Sequence, residues 1–175
     1  MKRLSLLFML LALTFISSSA FAQFTQAEMV KEWQRAKVYT KAYLDAMPED
    51  GYSFKPTPEI RSFAEQMLHL AWTNYFLASV ASGKPDPYEK IDYSDIAPHT
   101  KEDATKAVMD SYDFVISALR GITPGQLQET MKFHKQDITR FGMFGKAFEH
   151  QTHHRGQTTI YLRLKGVTPP PEMLF

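Results

Sequence analysis

The segment EHQTHHRGQ, residues 149–157, holds three of the six histidines in a chain of 175 residues. Imidazole nitrogens bind transition metals and transfer protons near neutral pH, so this density points to a metal site, a catalytic base or a polar patch. The segment lies inside a helical pattern, which restricts the histidines that can cooperate. At about 100° per residue, His154 lies roughly 40° from His150 and one turn further along, whereas His153 lies about 60° to the other side.

Apolar residues in the same pattern indicate which histidines face the protein interior. They fall within an arc of roughly 20° to 120° from His150, and they are Met143, Phe144, Ala147, Tyr161 and Leu162. His154 lies inside this arc, whereas His153 lies outside it, near Lys146 and Glu149. His150 and His154 are therefore the pair expected to point into a packed protein.

Two imidazoles at positions i and i+4 can bind one cation but do not complete a site. A third imidazole from a facing helix would give a firm site for Zn, Ni, Cu or Fe with open coordination positions. His69 is the obvious candidate because it lies in the middle of another helical segment, whereas His99 and His134 lie in loop or irregular segments. The predicted neighbours of His69 are polar, which fits a ligand pocket and equally fits a solvated strip. Periodicity leaves both interpretations open.

The first 22 residues have the pattern of a cleavable signal peptide. Lys2 and Arg3 precede an apolar run, Leu4 to Ile16, that is shorter than the roughly 18–20 residues needed to span a bilayer, and an Ala-Phe-Ala site ends at Ala22. We therefore predict cleavage after Ala22 and export to the periplasm or the extracellular space. Removing 22 of the 175 residues leaves 153, residues 23–175, which are expected to form one domain without stable membrane insertion.

The composition of the mature chain excludes several classes of function. Without Lys2 and Arg3, 18 of the 20 basic residues remain against 19 acidic residues, a net charge of −1. Nucleic-acid-binding proteins usually need a basic excess to replace phosphate counterions, so the balance argues against that class. The absence of cysteine excludes a disulfide framework, a thiolate ligand and a cysteine nucleophile. Any metal must therefore be bound by histidine, aspartate or glutamate.

Four long helices are predicted in the mature chain from cap residues, apolar periodicity and helix-ending glycine and proline. Their predicted bounds are Thr25 to Ala46, Thr57 to Ala81, Thr100 to just before Gly121, and Thr139 to Lys165. Thr25 and Glu28 have the pattern of a capping box, and Thr57 followed by Pro58 is a good N-cap and first-turn pair. Gly166 is the expected residue after the last helix.

The segments between the helices are predicted to be less regular. Residues 82–99 are rich in Pro, Gly and Asp, which is typical of a long ordered loop. Thr123 opens a short turn or helix, and residues 131–138 have an ambiguous pattern that is compatible with extended structure. The expected fold class is all-α, an up-down-type four-helix bundle.

A family resemblance rests on SFKPTPEIRSFAEQMLHLAWTNYFL, Ser53 to Leu77, and on HQTHHRGQTTIYLRLKGVTPP, His150 to Pro170. Together these segments resemble the DinB/YfiT-like superfamily of metal-dependent four-helix bundle proteins. The resemblance is close over the second and fourth helices and looser over the helix order. It implies a divalent metal ion, Zn, Ni or Fe, bound by one histidine of the second helix and two of the last. The matching positions are His69, His150 and His154.

The resemblance also implies a metal-dependent hydrolase or transferase acting on a small molecule, with a metal-bound water or thiolate as nucleophile. Some relatives of this fold use a low-molecular-weight thiol, but export would separate this protein from the intracellular thiol pool. The alternative is a noncatalytic metal- or ligand-binding bundle, because no proton-transfer residue is evident beside the ligands. No catalytic residue is assigned, and the sequence leaves a homodimer open.

Five further residues lie near the predicted ligands. Glu65, one turn before the histidine of the second helix, could act as a base, although a surface or helix-pairing carboxylate is the favoured interpretation. Tyr161 is favoured as a core tyrosine over a pocket residue. His153 is expected to support the ligands from outside or to lie on the surface. Arg155 and Gln157 are expected to serve in helix packing.

Overall fold

Four long helices make up most of residues 25–89 and 100–175, the part of the chain that the computed structural model describes. In chain order the elements are α1 (Gln26–Ala46), a 3-10 turn (Glu49–Gly51), α2 (Phe63–Ser82), α3 (Lys101–Gly121), α4 (Pro124–Leu127), β1 (Thr130–Phe133), β2 (Gln136–Thr139) and α5 (Arg140–Leu164). The predominantly helical class is confirmed. The expectation of an all-α chain is corrected by the two strands, which form an antiparallel hairpin.

Two predicted segments lie outside the described residues. They are the signal peptide, residues 1–22, and residues 90–99 of the long loop. Cleavage, the division into residues 1–22 and 23–175, and the up-down order of the helices therefore stay predictions. Within the described ranges, no helix combines the length and apolar character required to cross a membrane.

The capping box predicted at the start of α1 is confirmed. Thr25 Oγ1 accepts a hydrogen bond from the Glu28 amide at 3.2 Å, and the Glu28 carboxylate accepts one from the Thr25 amide at 2.7 Å. The two side chains thus satisfy backbone donors that the first helical turn leaves without partners. Thr100 caps α3 in a related way, accepting from the Asp103 amide at 3.0 Å.

The predicted start of α2 is wrong by five residues, because Ser62 and not Thr57 is the N-cap. Ser62 Oγ accepts from the Glu65 amide at 3.2 Å, and the Glu65 carboxylate accepts from the Ser62 amide at 2.6 Å. The Phe63 amide then donates to the Phe54 carbonyl at 3.1 Å, which ties the helix start to the preceding turn. This pairing, together with complete burial of Phe63, favours the later start over the Thr-Pro pair.

The ambiguous segment forms the β1–β2 hairpin, in which Met131 pairs with Ile138 and Phe133 with Gln136. Its two-residue turn consists of His134 and Lys135, whose φ angles are 45° and 68°. Positive φ at both central residues matches the type I′ turn, the one whose twist suits adjoining strands. Asn and Gly are the usual residues there, so His-Lys gave no recognisable turn signal.

The last helix, α5, confirms its predicted bounds to within one residue. Thr139 is the N-cap and accepts from the Gly142 amide at 3.0 Å. At the other end Gly166 has φ +75°, and the Val167 amide donates to the Leu162 carbonyl at 2.8 Å. Glycine tolerates this left-handed conformation, which closes the helix and frees the chain to turn away.

One hydrophobic core lies between the four long helices. Trp33 at its centre is fully buried and contacts Tyr112 and Phe148 edge-on, at ring-centroid distances of 5.6 and 5.4 Å. Helix α2 packs extensively against both α3 and α5. The α2–α5 contact places the predicted ligand of the second helix opposite those of the last.

Candidate metal centre

The three histidines that the sequence singled out lie together between α2 and α5. Ring centroids are separated by 5.1 Å for His69 and His150, 4.6 Å for His69 and His154, and 4.2 Å for His150 and His154. One nitrogen from each ring lies within 4.8 Å of the others. Imidazole nitrogens bind zinc-like ions at about 2.0–2.1 Å, so small side-chain rotations allow all three to converge on one ion.

The surroundings of the histidines suit a metal ion. Nδ1 of His150 is buried and has no hydrogen-bond partner among the described residues. A buried polar atom without a partner is costly, and coordination to a cation would remove that cost. Metal binding by these residues stays a prediction.

Burial keeps the three imidazoles neutral, the form that binds metals. Burial lowers the pKa of His150 to about 4, and the charges of His69, His153 and Arg61 add to the effect. The pKa of His154 falls to about 3, again mainly through burial and then through His150. For His69 the pKa is lowered by burial and by Arg61. Protons therefore compete weakly with a metal for these nitrogens near neutral pH.

A chain of hydrogen-bonding side chains extends behind His154. Gln66 Nε2 lies 2.8 Å from Nδ1 of His154, and it also contacts Oε1 of Gln157. Gln157 Nε2 in turn lies 2.8 Å from Nε2 of His153. His153, which helical angles separated from the ligand pair, is thus exposed but linked to the site through two glutamines.

Glu65 is occupied by its role at the start of α2. Its carboxylate caps the helix and forms an ion pair with Lys55 at 3.0 Å. These interactions lower its pKa, chiefly through the hydrogen bond from the Ser62 backbone. The structure therefore supports the interpretation of Glu65 as a surface carboxylate rather than as a base.

Tyr161 occupies the core position favoured from the sequence. Its hydroxyl donates to the Arg61 carbonyl at 2.8 Å, and only 4% of the residue is exposed. Its ring meets Phe63 edge-on at 6.3 Å. Tyr161 thereby fixes the start of α2 against α5, close to the histidines.

A buried polar network positions α5 on its inner side. Gln151, which is fully buried, accepts hydrogen bonds from the Tyr112 hydroxyl at 2.8 Å and from Arg155 at 3.2 Å. The Arg155 guanidinium lies 4.2 Å from the centre of the Tyr39 ring, so the expected packing role of Arg155 is supported. Directed hydrogen bonds of this kind fix the rotation of α5 about its axis, and with it the direction of the neighbouring histidines.

Sequence reasoning placed Gln66 among the polar neighbours of His69, but it assigned no supporting role to Gln66 or to Gln151. Gln66 lies three residues before His69 and Gln151 directly follows His150, so position was the only available signal. Their partners, His154 for Gln66 and Tyr112 for Gln151, lie on other helices at separations of 88 and 39 residues. Such pairings become visible only once the helices are packed.

A cavity of about 550 Å³ opens beside the histidine cluster. It lies between the hairpin, α2 and α5, and His150 forms part of its wall. His134 at the hairpin turn and exposed His153 also line it. The site therefore borders a space large enough for a small organic molecule.

A family model described as the DinB superfamily matches residues 32–158, which is most of the chain and includes all three histidines. The chain belongs to the DinB superfamily. The DinB resemblance noted in the two sequence segments is therefore confirmed.

Two Bacillus subtilis proteins are similar to this chain over most of its length. The Bacillus subtilis (strain 168) proteins YjoA and YrdA, both described as uncharacterized, are 23% identical over 149 residues and 24% identical over 151 residues. These matches cover 82% of this chain and 93% of YjoA, and 83% of this chain and 86% of YrdA.

Two crystal structures of DinB-like proteins have the same fold. Bacillus subtilis YjoA superposes with a TM-score of 0.69 at 21% identity, over 83% of this chain and 97% of YjoA. A DinB-like protein of Bacillus cereus ATCC 10987 superposes with a TM-score of 0.72 at 20% identity, over 83% of this chain and 96% of the Bacillus cereus chain. The DinB-like fold is thus shown, while the chemistry must be argued from this chain's own residues.

Proposed function

We propose that this DinB protein binds one divalent transition-metal ion, Zn, Ni or Fe, through His69, His150 and His154. We propose further that the site serves metal-dependent hydrolysis or group transfer on a small molecule. The observation that carries the proposal is the convergence of three neutral imidazoles from two helices at the edge of an open cavity. When bound, such an ion supplies a Lewis acid that polarises a substrate oxygen and lowers the pKa of a coordinated water or thiol.

Gln66 has a defined part in this arrangement. Coordination through Nε2 of His154 requires the proton of that ring to lie on Nδ1, where it must donate. Gln66 accepts this hydrogen bond once its side-chain amide is turned so that Oε1 replaces Nε2. The same turn in Gln157 lets it donate to Gln66 and accept from His153. The chain of hydrogen bonds is then complete and leaves Nε2 of His154 free for the ion.

A noncatalytic metal- or ligand-binding role is the second candidate, and one observation favours it. Within residues 25–89 and 100–175, no carboxylate belongs to the three-histidine group, and Glu65 is engaged in the helix cap. A group of three imidazoles that all bind the metal has no proton acceptor among its own members, which favours binding over catalysis.

Turnover distinguishes the two roles. Metal-loaded protein is screened with ester, amide and thiol-transfer substrates, beside His154→Ala and His153→Ala variants whose folding is checked by circular dichroism. The catalytic proposal expects turnover that His154→Ala abolishes and His153→Ala largely retains. No turnover with any substrate class would support the binding role instead, and equal turnover in His154→Ala would show that the reaction does not depend on the three histidines.

We also propose that the protein is exported to the periplasm or the extracellular space. The proposal rests on the charged start, apolar run and Ala-Phe-Ala site of residues 1–22. Expression in a bacterial host, followed by fractionation and mass spectrometry, should give an exported protein that begins at Gln23. Recovery of the full chain in the cytoplasm alone would contradict export without affecting the metal site.

A further inference from the structure

The cavity beside His150 is apolar at its base. Its apolar lining comes from three elements that meet there, and the residues are Leu77 of α2, Phe133 and Ile138 of the hairpin, and Met143 of α5. Leu77 and Met143 are buried, with 8% and 1% of their surfaces exposed, and both belong to the hydrophobic core. The base of the cavity is therefore formed by the rigid core, while the hairpin supplies the outer wall.

The hairpin wall is fixed in place by specific contacts. Gly142 lets the Ile138 side chain approach the first turn of α5 closely, because a Cβ at this position would lie 3.0 Å from Ile138 Cγ1. The Phe133 ring lies 6.1 Å from that of Phe76 on α2. Arg140, directly after the hairpin, donates to the Ala81 carbonyl at 2.9 Å. These contacts hold the wall over the cavity and preserve the space beneath it.

The charges around the site favour an anionic ligand on the metal. Three neutral imidazoles leave a divalent ion with its full charge of +2, and no carboxylate joins the group within the described ranges. At the cavity mouth Lys146 and Glu149 form an ion pair at 2.8 Å and offset each other. Attraction for an anion is therefore concentrated at the metal.

We propose that the cavity binds the apolar arm of an organic substrate whose anionic donor group, such as a thiolate, carboxylate or hydroxamate, coordinates the metal. This inference rests on the proposed metal site and defines the class of substrate that the site accepts. A donor placed at the histidines can direct its carbon chain past His150, which borders both spaces. The volume of about 550 Å³ lies within the range of small-molecule pockets.

A series of alkyl hydroxamates tests the proposal on the cobalt-substituted protein. Affinity is read from the visible absorption of Co²⁺ as the chain lengthens from acetohydroxamate to octanohydroxamate. Each buried methylene should raise affinity about fourfold until the cavity is filled. Equal affinity for all chain lengths would overturn the proposal, because it would show that the chain stays in water.

Two matched variants locate the chain. Ile138→Thr keeps a β-branched residue in the strand but places a hydroxyl in the cavity wall. It should lower the affinity for octanohydroxamate about fourfold or more, which is the contribution of one buried methylene, and leave the affinity for acetohydroxamate unchanged. Met131 is the cross-strand partner of Ile138 but does not line the cavity. Met131→Thr should therefore change the affinity of neither hydroxamate. Equal losses in both variants, or none in Ile138→Thr, would contradict the assignment.

A measurement on metal-free protein separates this inference from the metal site. The NMR signals of the Met143 and Ile138 methyl groups should shift when millimolar octanohydroxamate is added, whereas that of Met47, a buried residue that does not line the cavity, should not. These shifts support the cavity even where cobalt fails to bind, and that failure counts against the proposed function alone. Bound cobalt without a chain-length effect and without methyl shifts counts against the cavity alone. Phe133→Ala gives a second test if Ile138→Thr does not fold.

Discussion

His150 and His154 keep their neutral form at pH values where an exposed histidine is largely protonated. Burial is the main cause, and it lowers their pKa values to about 4 and about 3. In the unfolded chain both return to the ordinary value near 6.5. Because the unfolded state then binds more protons, acid weakens the folded state through these two residues. Keeping these imidazoles neutral in the folded protein therefore lowers the free energy of unfolding at low pH.

Metal-free protein should lose stability as the pH falls from about 6.5 towards 3, by at most about 1.4 kcal/mol per pH unit for each of these histidines. Above pH 7 the two residues should contribute no pH dependence. Urea unfolding between pH 8 and pH 4, with chelator present, gives the free energy of unfolding. A His150→Gln/His154→Gln variant should show a flatter profile, and an unchanged profile would disprove the assignment.

Gln66 should control the metal affinity through His154. Gln66→Leu removes the acceptor for the Nδ1–H group of His154. It should lower the metal affinity by about 10- to 100-fold, the usual effect of losing such a hydrogen bond. Gln66→Glu keeps an acceptor and should retain affinity at least equal to the wild type. Competition with a chromogenic chelator measures both. A loss of equal size in the two variants would indicate a packing role and not hydrogen-bond acceptance.

Among the secondary-structure elements, the β1–β2 hairpin departs most from the expected all-α fold. It forms one wall of the cavity beside the histidines. Its sequence had only an ambiguous extended pattern, because His134 and Lys135 occupy the turn positions where Asn and Gly are usual. Left-handed conformations cost non-glycine residues roughly 1–2 kcal/mol each. The hairpin keeps this turn because its strands and Arg140 determine its position.

Lys135→Gly should relieve part of this strain and raise the free energy of unfolding by about 1 kcal/mol. Lys132→Gly is the matched control, since it changes the same residue type inside β1 and should lower stability by roughly 0.5–1 kcal/mol. Thermal and urea unfolding measure both differences. Destabilisation by both substitutions would show that the turn carries no strain.

The start of α1 and the end of α5 were predicted from local cap residues, whereas the predicted start of α2 was wrong. Thr25 and Glu28 gave the start of α1, and Gly166 gave the end of α5. Before α2 the prediction used Thr57-Pro58 and overlooked the Ser62–Glu65 pair, which forms the capping box in the structure. The choice depended on burial of Phe63 and on its backbone bond to Phe54, which are tertiary contacts. Local sequence alone did not contain that information.

At the scale of the whole molecule, the site is created by packing α2 against α5. Helical angles alone were sufficient to select His150 and His154 over His153, because those angles depend on local geometry. They could not bring in His69, which the family resemblance supplied and which the structure places 4.6 Å from His154 between ring centroids. The cavity was also beyond sequence reasoning, since its walls come from three separate elements.

The metal content of the purified protein tests the central claim most directly. The mature protein, loaded with Zn²⁺, Ni²⁺, Fe²⁺ or Co²⁺ and freed of excess by gel filtration, is analysed by plasma mass spectrometry beside His150→Ala and His153→Ala. We predict about one ion per chain in the wild type and in His153→Ala, and a small fraction of this in His150→Ala. No stoichiometric metal under any loading condition, or equal metal in all three proteins, would contradict the three-histidine site.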